Sequence, residues 1–132
     1  MLAPFPLNRL LQFVAALWLF AAHWSVQAAN DAPQVSPAIV DICLDLKRPP
    51  AICTCSATKL QASVQKDAFE HYHAVGARYL QLKRQGQRRR QAWAMAVNQR
   101  AESTGEQPEQ LTEKMAGAAD DHLLAIQDCG QQ

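Results

Sequence analysis

Four cysteines are the residues of this 132-residue chain whose type and spacing most directly suggest chemistry. Cys53 and Cys55 form a Cys-Thr-Cys sequence, and the other two cysteines are Cys43 and Cys129. Reduced thiolates at the Cys-Thr-Cys spacing could bind a soft metal such as copper or zinc. An even number of cysteines in an exported chain predicts disulfides instead. We therefore expect all four to be bridged.

The spacing of the cysteines limits how they can pair. Cys53 and Cys55 are one residue apart and, on a helical turn, point to different sides, so a bridge between them has poor geometry. Two patterns stay open: Cys43–Cys53 with Cys55–Cys129, or Cys43–Cys55 with Cys53–Cys129. Both patterns tie the C-terminal segment to the Cys-Thr-Cys turn across more than 70 residues. Loop entropy predicts a stabilisation of about 4 kcal/mol for such a bridge.

Three histidines offer a second kind of chemistry. His71 and His73 are two residues apart, which places them about 200° apart on a helix and prevents chelation of one metal. His122 lies on an otherwise apolar stripe and is expected to be hydrogen-bonded at the edge of the core. We predict no metal site and no cofactor. The alternative function is a small-ligand or metal carrier that uses these histidines or a reduced Cys-Thr-Cys.

Catalytic signatures are missing from the sequence. Ser56, Ser63 and Ser103 have none of the flanking glycines of a nucleophile elbow, and no glycine-rich loop could hold a phosphate. Oxidised cysteines cannot act as nucleophiles. We predict a protein without catalytic residues, that is, not an enzyme.

Charge is distributed unevenly along the chain. Residues 71–101 contain seven cations and no acid, whereas residues 102–132 contain seven acids and one lysine. Clustered cations could hold a phosphate, an anionic lipid headgroup or an acidic protein surface. The alternative is that the basic helix packs antiparallel to the acidic C-terminal helix and their charges pair. The partner-binding candidates are Lys83, Arg84, Arg88, Arg89 and Arg90.

The first 28 residues are typical of a secretory signal peptide. Arg9 precedes an apolar run over residues 10–22, and Val26 and Ala28 provide the small residues that signal peptidase requires before a cut. The apolar run has 13 residues, fewer than the roughly 20 that cross a bilayer. We expect cleavage after Ala28, export to the periplasm or beyond, and no transmembrane segment in the mature chain.

Residues 29–132 are predicted to form a single helical domain, with residues 29–36 as a flexible lead-in. Apolar residues recur at spacings of three and four, and no segment alternates with period two. Ser36-Pro37 starts a short helix, since serine is a good N-cap and proline fits the first helical position. A second helix is expected from Pro50 to about Gln65. The last helix follows Pro108 and closes at Gly130.

Between these segments, Asp67 is expected to cap a third helix. We expect the chain to keep roughly the same helical direction through Gln85-Gly86-Gln87 and on to about Glu102, which would place Arg84, Arg88 and Arg89 on adjacent turns. Tyr72, Tyr79 and Trp93 could line a ligand groove, but their helical spacing favours the core. The predicted fold is an all-α, disulfide-stapled bundle of four to five helices.

In outline, the mature chain resembles small uncharacterised exported helical proteins of Gram-negative bacteria with four cysteines. The resemblance lies in the cysteine framework, the Tyr72-to-Tyr79 stripe with Gly76, Trp93, and the segment from Ala125 to Cys129. From the signal peptide, the basic segment and the missing catalytic signatures, we expect a non-enzymatic periplasmic or secreted interaction protein that acts as an inhibitor, immunity or accessory factor. Its macromolecular partner would contact the basic segment and the exposed face of the last helix. Nucleic acid is not expected, because residues 29–132 carry no net charge and no nucleic-acid-binding motif.

Overall fold

Five α-helices form the part of the chain that the computed structural model describes, residues 34–132. They are α1 (Pro37–Asp45), α2 (Pro50–Ser63), α3 (Lys66–Arg84), α4 (Arg89–Thr104) and α5 (Pro108–Cys129). These residues contain no strand. The predicted all-α class is confirmed. The predicted signal peptide, residues 1–28, lies outside the described residues.

The start of α1 is defined by the predicted capping residues. The Ser36 side chain accepts a hydrogen bond from the backbone N–H of Ile39 at 3.4 Å, and Pro37 occupies the first helical position. Val35 packs against the core, and Ser36 is buried. Of the predicted lead-in, residues 29–33 lie outside the described part, and the last two residues belong to the packed structure.

The connection between α3 and α4 corrects the expectation of one continuous helical direction. Gly86 adopts φ +89°, and the backbone N–H groups of Gly86 and Gln87 donate to the carbonyls of Lys83 and Leu82. This is a Schellman motif, in which glycine takes the left-handed conformation that ends a helix. The chain therefore reverses, and α4 returns along α3 with Arg100 beside His71.

Two further boundaries differ from the sequence prediction. The second helix ends at Ser63 rather than Gln65, because the backbone is extended at Val64 and Gln65. The third helix begins at Lys66 and has Gln65 at its N-cap without a side-chain hydrogen bond. Asp67 therefore lies in the first turn and is not the cap, although its negative charge there suits the helix dipole.

α3 is the centre of the packing. It contacts α1, α4 and α5, while α2 contacts α1 and α5, and α4 also contacts α5. Ile39, Leu60, Val75 and Leu111 are completely removed from solvent and bring α1, α2, α3 and α5 into one core. Gly76 allows α1 to approach α3, because a Cβ at this position would overlap the Cδ1 atom of Ile42.

The cysteines adopt the first of the two pairings left open by the sequence. Cys43–Cys53 joins α1 to α2 with a Cα–Cα distance of 5.3 Å, and Cys55–Cys129 joins α2 to the end of α5 with a distance of 6.1 Å. No cysteine is free. The prediction of a disulfide-stapled helical bundle is confirmed.

A search of residues 34–132 for a membrane-crossing helix finds none of sufficient length and apolar character.

Candidate binding site at the turn between α3 and α4

The structure brings the five predicted partner-binding residues together around one turn. Lys83 and Arg84 end α3, Arg88 is the N-cap of α4, and Arg89 and Arg90 begin α4. We call this set of five side chains the basic corner. The sequence suggested that these cations lie on adjacent turns of one continuous helix. They do not, because the chain reverses at Gly86.

Within the basic corner, Lys83 is engaged in the fold. Its Nζ forms an ion pair with Asp45 of α1, whose other carboxylate oxygen accepts a hydrogen bond from the Tyr79 hydroxyl at 2.6 Å. Burial opposes ionisation of Asp45, but the hydrogen bonds from Lys83 and Tyr79 outweigh it and lower the pKa of Asp45. The same hydrogen bond with Asp45 raises the pKa of Lys83. Lys83 therefore fixes α1 to α3 and is less accessible to a partner than the other four cations.

The four arginines of the basic corner are exposed. Across residues 34–132, none of their nitrogens lies within 4.0 Å of a carboxylate oxygen. In that same range, the ion pairs of α5 are Lys59–Asp128 and Lys114–Glu106. The alternative in which the basic segment pairs its charges with the acidic last helix is therefore not what the described residues adopt.

Beside the basic corner lies a cleft that is lined by residues of α1, α3 and α4. It encloses about 350 Å³, which falls at the small end of the size range of ligand pockets, roughly 300–1,000 Å³. Ile42 and Tyr79 are nearly buried, and the Tyr79 and Trp93 rings meet edge to face at 5.5 Å between centroids. The residues that line the cleft are Ile42, Asp45, Tyr79, Arg89, Arg90 and Trp93.

The cleft combines aromatic walls with a positive rim. Its one carboxylate, Asp45, is already held by Lys83 and Tyr79, while Arg89 and Arg90 contribute two more cations. The charge of Arg89 also contributes to lowering the pKa of Asp45, so this arginine lies near the carboxylate without an ion-pair contact. The cleft therefore has more positive than negative charge around an apolar interior.

The sequence favoured the core over a ligand groove for Tyr79 and Trp93 and did not indicate Ile42 or Asp45 as part of a site. Tyr79 is buried, whereas Trp93 is only half-buried. Asp45 lies 34 residues before Tyr79, a separation at which no local pattern could indicate contact. The sequence feature that did indicate the site is the cluster of cations, which lies at the rim of the cleft.

The histidines named for the carrier alternative lie in different surroundings. His71 contacts Asp67, Glu106 and Arg100, and the ring of His73 stacks on Phe69. Within residues 34–132, no three His, Cys, Asp or Glu side chains are grouped so as to hold a metal ion. Cys53 and Cys55 are both in disulfides, so the Cys-Thr-Cys sequence presents no thiolate in this structure.

His122 is almost completely buried between α5 and α3. Its Nδ1 lies 3.0 Å from the Tyr72 hydroxyl, and its Nε2 has no hydrogen-bond partner in the described part of the chain. Burial lowers the pKa of His122 from the ordinary 6.5 to about 4 and raises the pKa of Tyr72. Both side chains are therefore uncharged at neutral pH and join α3 to α5.

A second surface lies on α5. Leu123 and Leu124 are 56% and 58% exposed, which is unusual for two large apolar neighbours on a folded surface. Leu123 borders a groove with Leu46 and Ile52, and Leu124 borders another with Lys59. These grooves differ from the cleft because no aromatic side chain lines them.

Comparison of the chain with protein-family models, with curated proteins and with solved structures gives no match.

Proposed function

We propose that this protein is exported to the periplasm or secreted, and that it acts without catalysis by binding an acidic protein through the arginines of the basic corner. The observation that carries the proposal is the clustering of Arg84, Arg88, Arg89 and Arg90 on one exposed turn with no carboxylate partner among residues 34–132. Like charges on one turn repel each other. An acidic partner surface would relieve that repulsion.

Other observations support the proposed export to the periplasm or beyond. The predicted signal peptide over residues 1–28 directs export, and two disulfides suit an oxidising compartment. An inhibitor, immunity or accessory role fits a small disulfide-linked domain with a cluster of exposed arginines. Charge complementarity would increase the rate of association with an acidic target more than it would increase the affinity.

The exposed leucines of α5 form a surface that differs in charge from the basic corner. Leu123 and Leu124 are exposed on α5, whose neighbouring Asp120 and Asp121 are charged. These carboxylates would repel an acidic partner. We therefore assign recognition of the acidic protein to the basic corner and not to these leucines.

Photo-crosslinking in the cells that export the protein tests the proposal. A photoreactive amino acid at Gln87, within the turn, is expected to capture one acidic protein. The triple variant R84E/R88E/R90E is expected to abolish that crosslink. The matched control K47E/R48E/K66E changes the net charge equally on exposed residues outside the corner and is expected to retain it.

Two results would reject the proposal. Equal loss of the crosslink in both triple variants would show that net charge alone matters. Retention of the crosslink in R84E/R88E/R90E would show that the arginines do not recognise the partner. Circular dichroism of each purified variant verifies that the helices are intact.

A further inference from the structure

The cleft between α1, α3 and α4 has features that the recognition of an acidic protein surface does not require. A flat acidic surface needs exposed cations, whereas this cleft also has an apolar interior of about 350 Å³. Ile42 and Tyr79 are the nearly buried part of its lining, and Trp93 forms the half-buried wall. Such enclosed aromatic surface stabilises a bound apolar group through burial and ring contacts.

We propose that this cleft binds a small amphipathic anion, with its apolar part between Tyr79 and Trp93 and its carboxylate or phosphate on Arg89 and Arg90. The inference is independent of the acidic protein partner, since the cleft could be occupied whether or not such a partner binds.

The size of the cleft limits the ligand. A volume of about 350 Å³ is near the lower end for ligand pockets, which suits a short alkyl chain or a small ring system. A long lipid tail would project into solvent. The ligand class is therefore an acid with an apolar group about the size of one aromatic side chain or an eight-carbon chain.

The charges in and around the cleft select an anion over a cation. The Tyr79 hydroxyl donates to Asp45 at 2.6 Å, and Lys83 neutralises the same carboxylate, so little of its charge remains for a ligand. Arg89 and Arg90 have no carboxylate within 4.0 Å inside the described range. A guanidinium can make two parallel hydrogen bonds to a carboxylate or phosphate, an arrangement stronger than a neutral hydrogen bond.

The other apolar grooves are less suited to this ligand. The groove beside Leu123 is larger, about 510 Å³, but Arg48 is the only cation in its lining and no aromatic ring contributes. The groove beside Leu124 combines Lys59 with Asp121 and Asp128, whose charges would repel an acid. The cleft at Tyr79 and Trp93 combines aromatic walls with two arginines that form no ion pair within residues 34–132. A further groove that Trp93 borders has Glu109 and no cation in its lining.

Four probes with the same eight-carbon chain test the inference: octanoate, octyl phosphate, octan-1-ol and octylammonium. Isothermal titration calorimetry measures their affinities for the exported protein, and ¹H–¹⁵N spectra follow the indole N–H of Trp93, assigned with W93F. We expect at least one of the two anions to bind about tenfold or more tightly than the alcohol. We also expect the Trp93 signal to shift. The relative affinity of octanoate and octyl phosphate identifies which acid group the cleft prefers.

Paired variants separate the cleft from the rest of the basic corner. R89Q/R90Q is expected to weaken anion binding about tenfold or more, while R84Q/R88Q, which alters cations outside the lining, is expected to change it less than about twofold. The acidic-protein crosslink responds to Arg84 and Arg88 as well. If the unmodified protein captures no acidic protein but binds the anion, the proposed function is rejected and this inference is kept.

Several outcomes would overturn the inference. These are equal binding of alcohol and anions, tighter binding of octylammonium, or no heat and no shift with any probe at millimolar concentration. Signals that move only around Leu123 and Leu124 would also overturn it, because they would place the probe in the α5 grooves. Equal loss of affinity in R84Q/R88Q and R89Q/R90Q would mean that the ligand is attracted by the positive charge of the whole basic corner and does not bind specifically in the cleft.

Discussion

Two groups of helices in this protein are held together by different means. α1, α2 and α5 are joined by Cys43–Cys53 and Cys55–Cys129, and we call these three helices the clamp. α3 and α4 contain no cysteine and are held by packing and by side-chain contacts such as Lys83–Asp45 and Tyr72–His122. We call α3 and α4 the packed pair. Most residues that line the cleft belong to this pair, and only Ile42 and Asp45 come from the clamp.

This difference indicates which helices of a small domain need a disulfide to hold them in place. α1 has only nine residues, and isolated helices shorter than about 12–15 residues are marginal in water. A bridge at Cys43 holds this short helix in place. α3 has 19 residues and packs against three neighbours, so it needs no bridge. The packed pair can therefore carry a cluster of like charges that a less well-packed element could not tolerate.

The largest predicted effect comes from opening the clamp. Removing Cys55–Cys129, whose cysteines are 74 residues apart, with C55A/C129A is expected to cost about 4 kcal/mol by loop entropy. Removing Cys43–Cys53, whose cysteines are 10 residues apart, with C43A/C53A is expected to cost about 3 kcal/mol. Urea unfolding of each variant gives the two free energies. A larger loss of unfolding free energy in C43A/C53A than in C55A/C129A would show that local packing around α1, and not chain entropy, determines how much the disulfides stabilise the protein.

A second prediction concerns the joint between the clamp and the packed pair. Gly76→Ala places a Cβ against Cδ1 of Ile42, and such overpacking is expected to cost about 1–3 kcal/mol. Ile42→Val removes that Cδ1 atom, so the double variant is expected to lose less than the sum of the two single variants.

Gly117→Ala serves as the control for this joint. No heavy atom lies within 4 Å of a Cβ at Gly117, so alanine is expected to stabilise α5 by about 0.5–1 kcal/mol. Thermal unfolding measures all four variants. Additive losses at Gly76 and Ile42 would contradict the proposed contact between α1 and α3.

The third prediction is an acid sensitivity of the contact between His122 of α5 and Tyr72 of α3. The lowered pKa of His122, about 4 against the ordinary 6.5, means that the unfolded chain binds a proton more readily than the folded one. The stabilisation is complete above pH 6.5 and is lost as the pH falls towards 4. Between pH 7.5 and pH 5, the free energy of unfolding is expected to fall by about 2 kcal/mol.

Urea unfolding across this pH range, compared with His122→Gln, measures the contribution of the histidine. The pKa values of Asp45 and Glu106 are also lowered by their hydrogen bonds, so their stabilisation is lost mainly below their ordinary values of 3.8 and 4.5. The window between pH 6.5 and pH 5 therefore reports mainly on His122. An unchanged pH slope in His122→Gln would contradict the buried neutral histidine.

Helix positions and the residues of the basic corner were largely predictable from the sequence, but the cleft beside them was not. Ser36-Pro37, Pro50, Pro108 and Gly130 marked boundaries through local chemistry, and all five residues lie at helix ends in the structure. The reversal at Gly86 was missed because glycine alone does not distinguish a weak point in a helix from a left-handed cap. Hydrogen bonds of the neighbouring backbone decide which of the two occurs.

Contacts between distant segments account for the rest of what the sequence could not give. The choice between the two cysteine pairings depends on how α2 lies against α1 and α5, since both pairings satisfy the same spacing. The cleft depends on α1 ending near Tyr79, with Asp45 reaching Lys83. Such arrangements follow from tertiary packing, which overrides local pattern.

The smallest predicted effect is also the most direct test of the central claim, that the arginines of the basic corner are exposed for binding and do not hold the fold together. The measurement is the thermal unfolding midpoint of R84Q/R88Q/R89Q/R90Q beside that of Lys83→Gln, which breaks the ion pair with Asp45. We predict a midpoint for the fourfold variant within about 2 °C of the unmodified protein or above it, and a decrease for Lys83→Gln. A decrease of about 4–8 °C or more in the fourfold variant, the equivalent of about 1 kcal/mol in a domain of this size, would contradict the account.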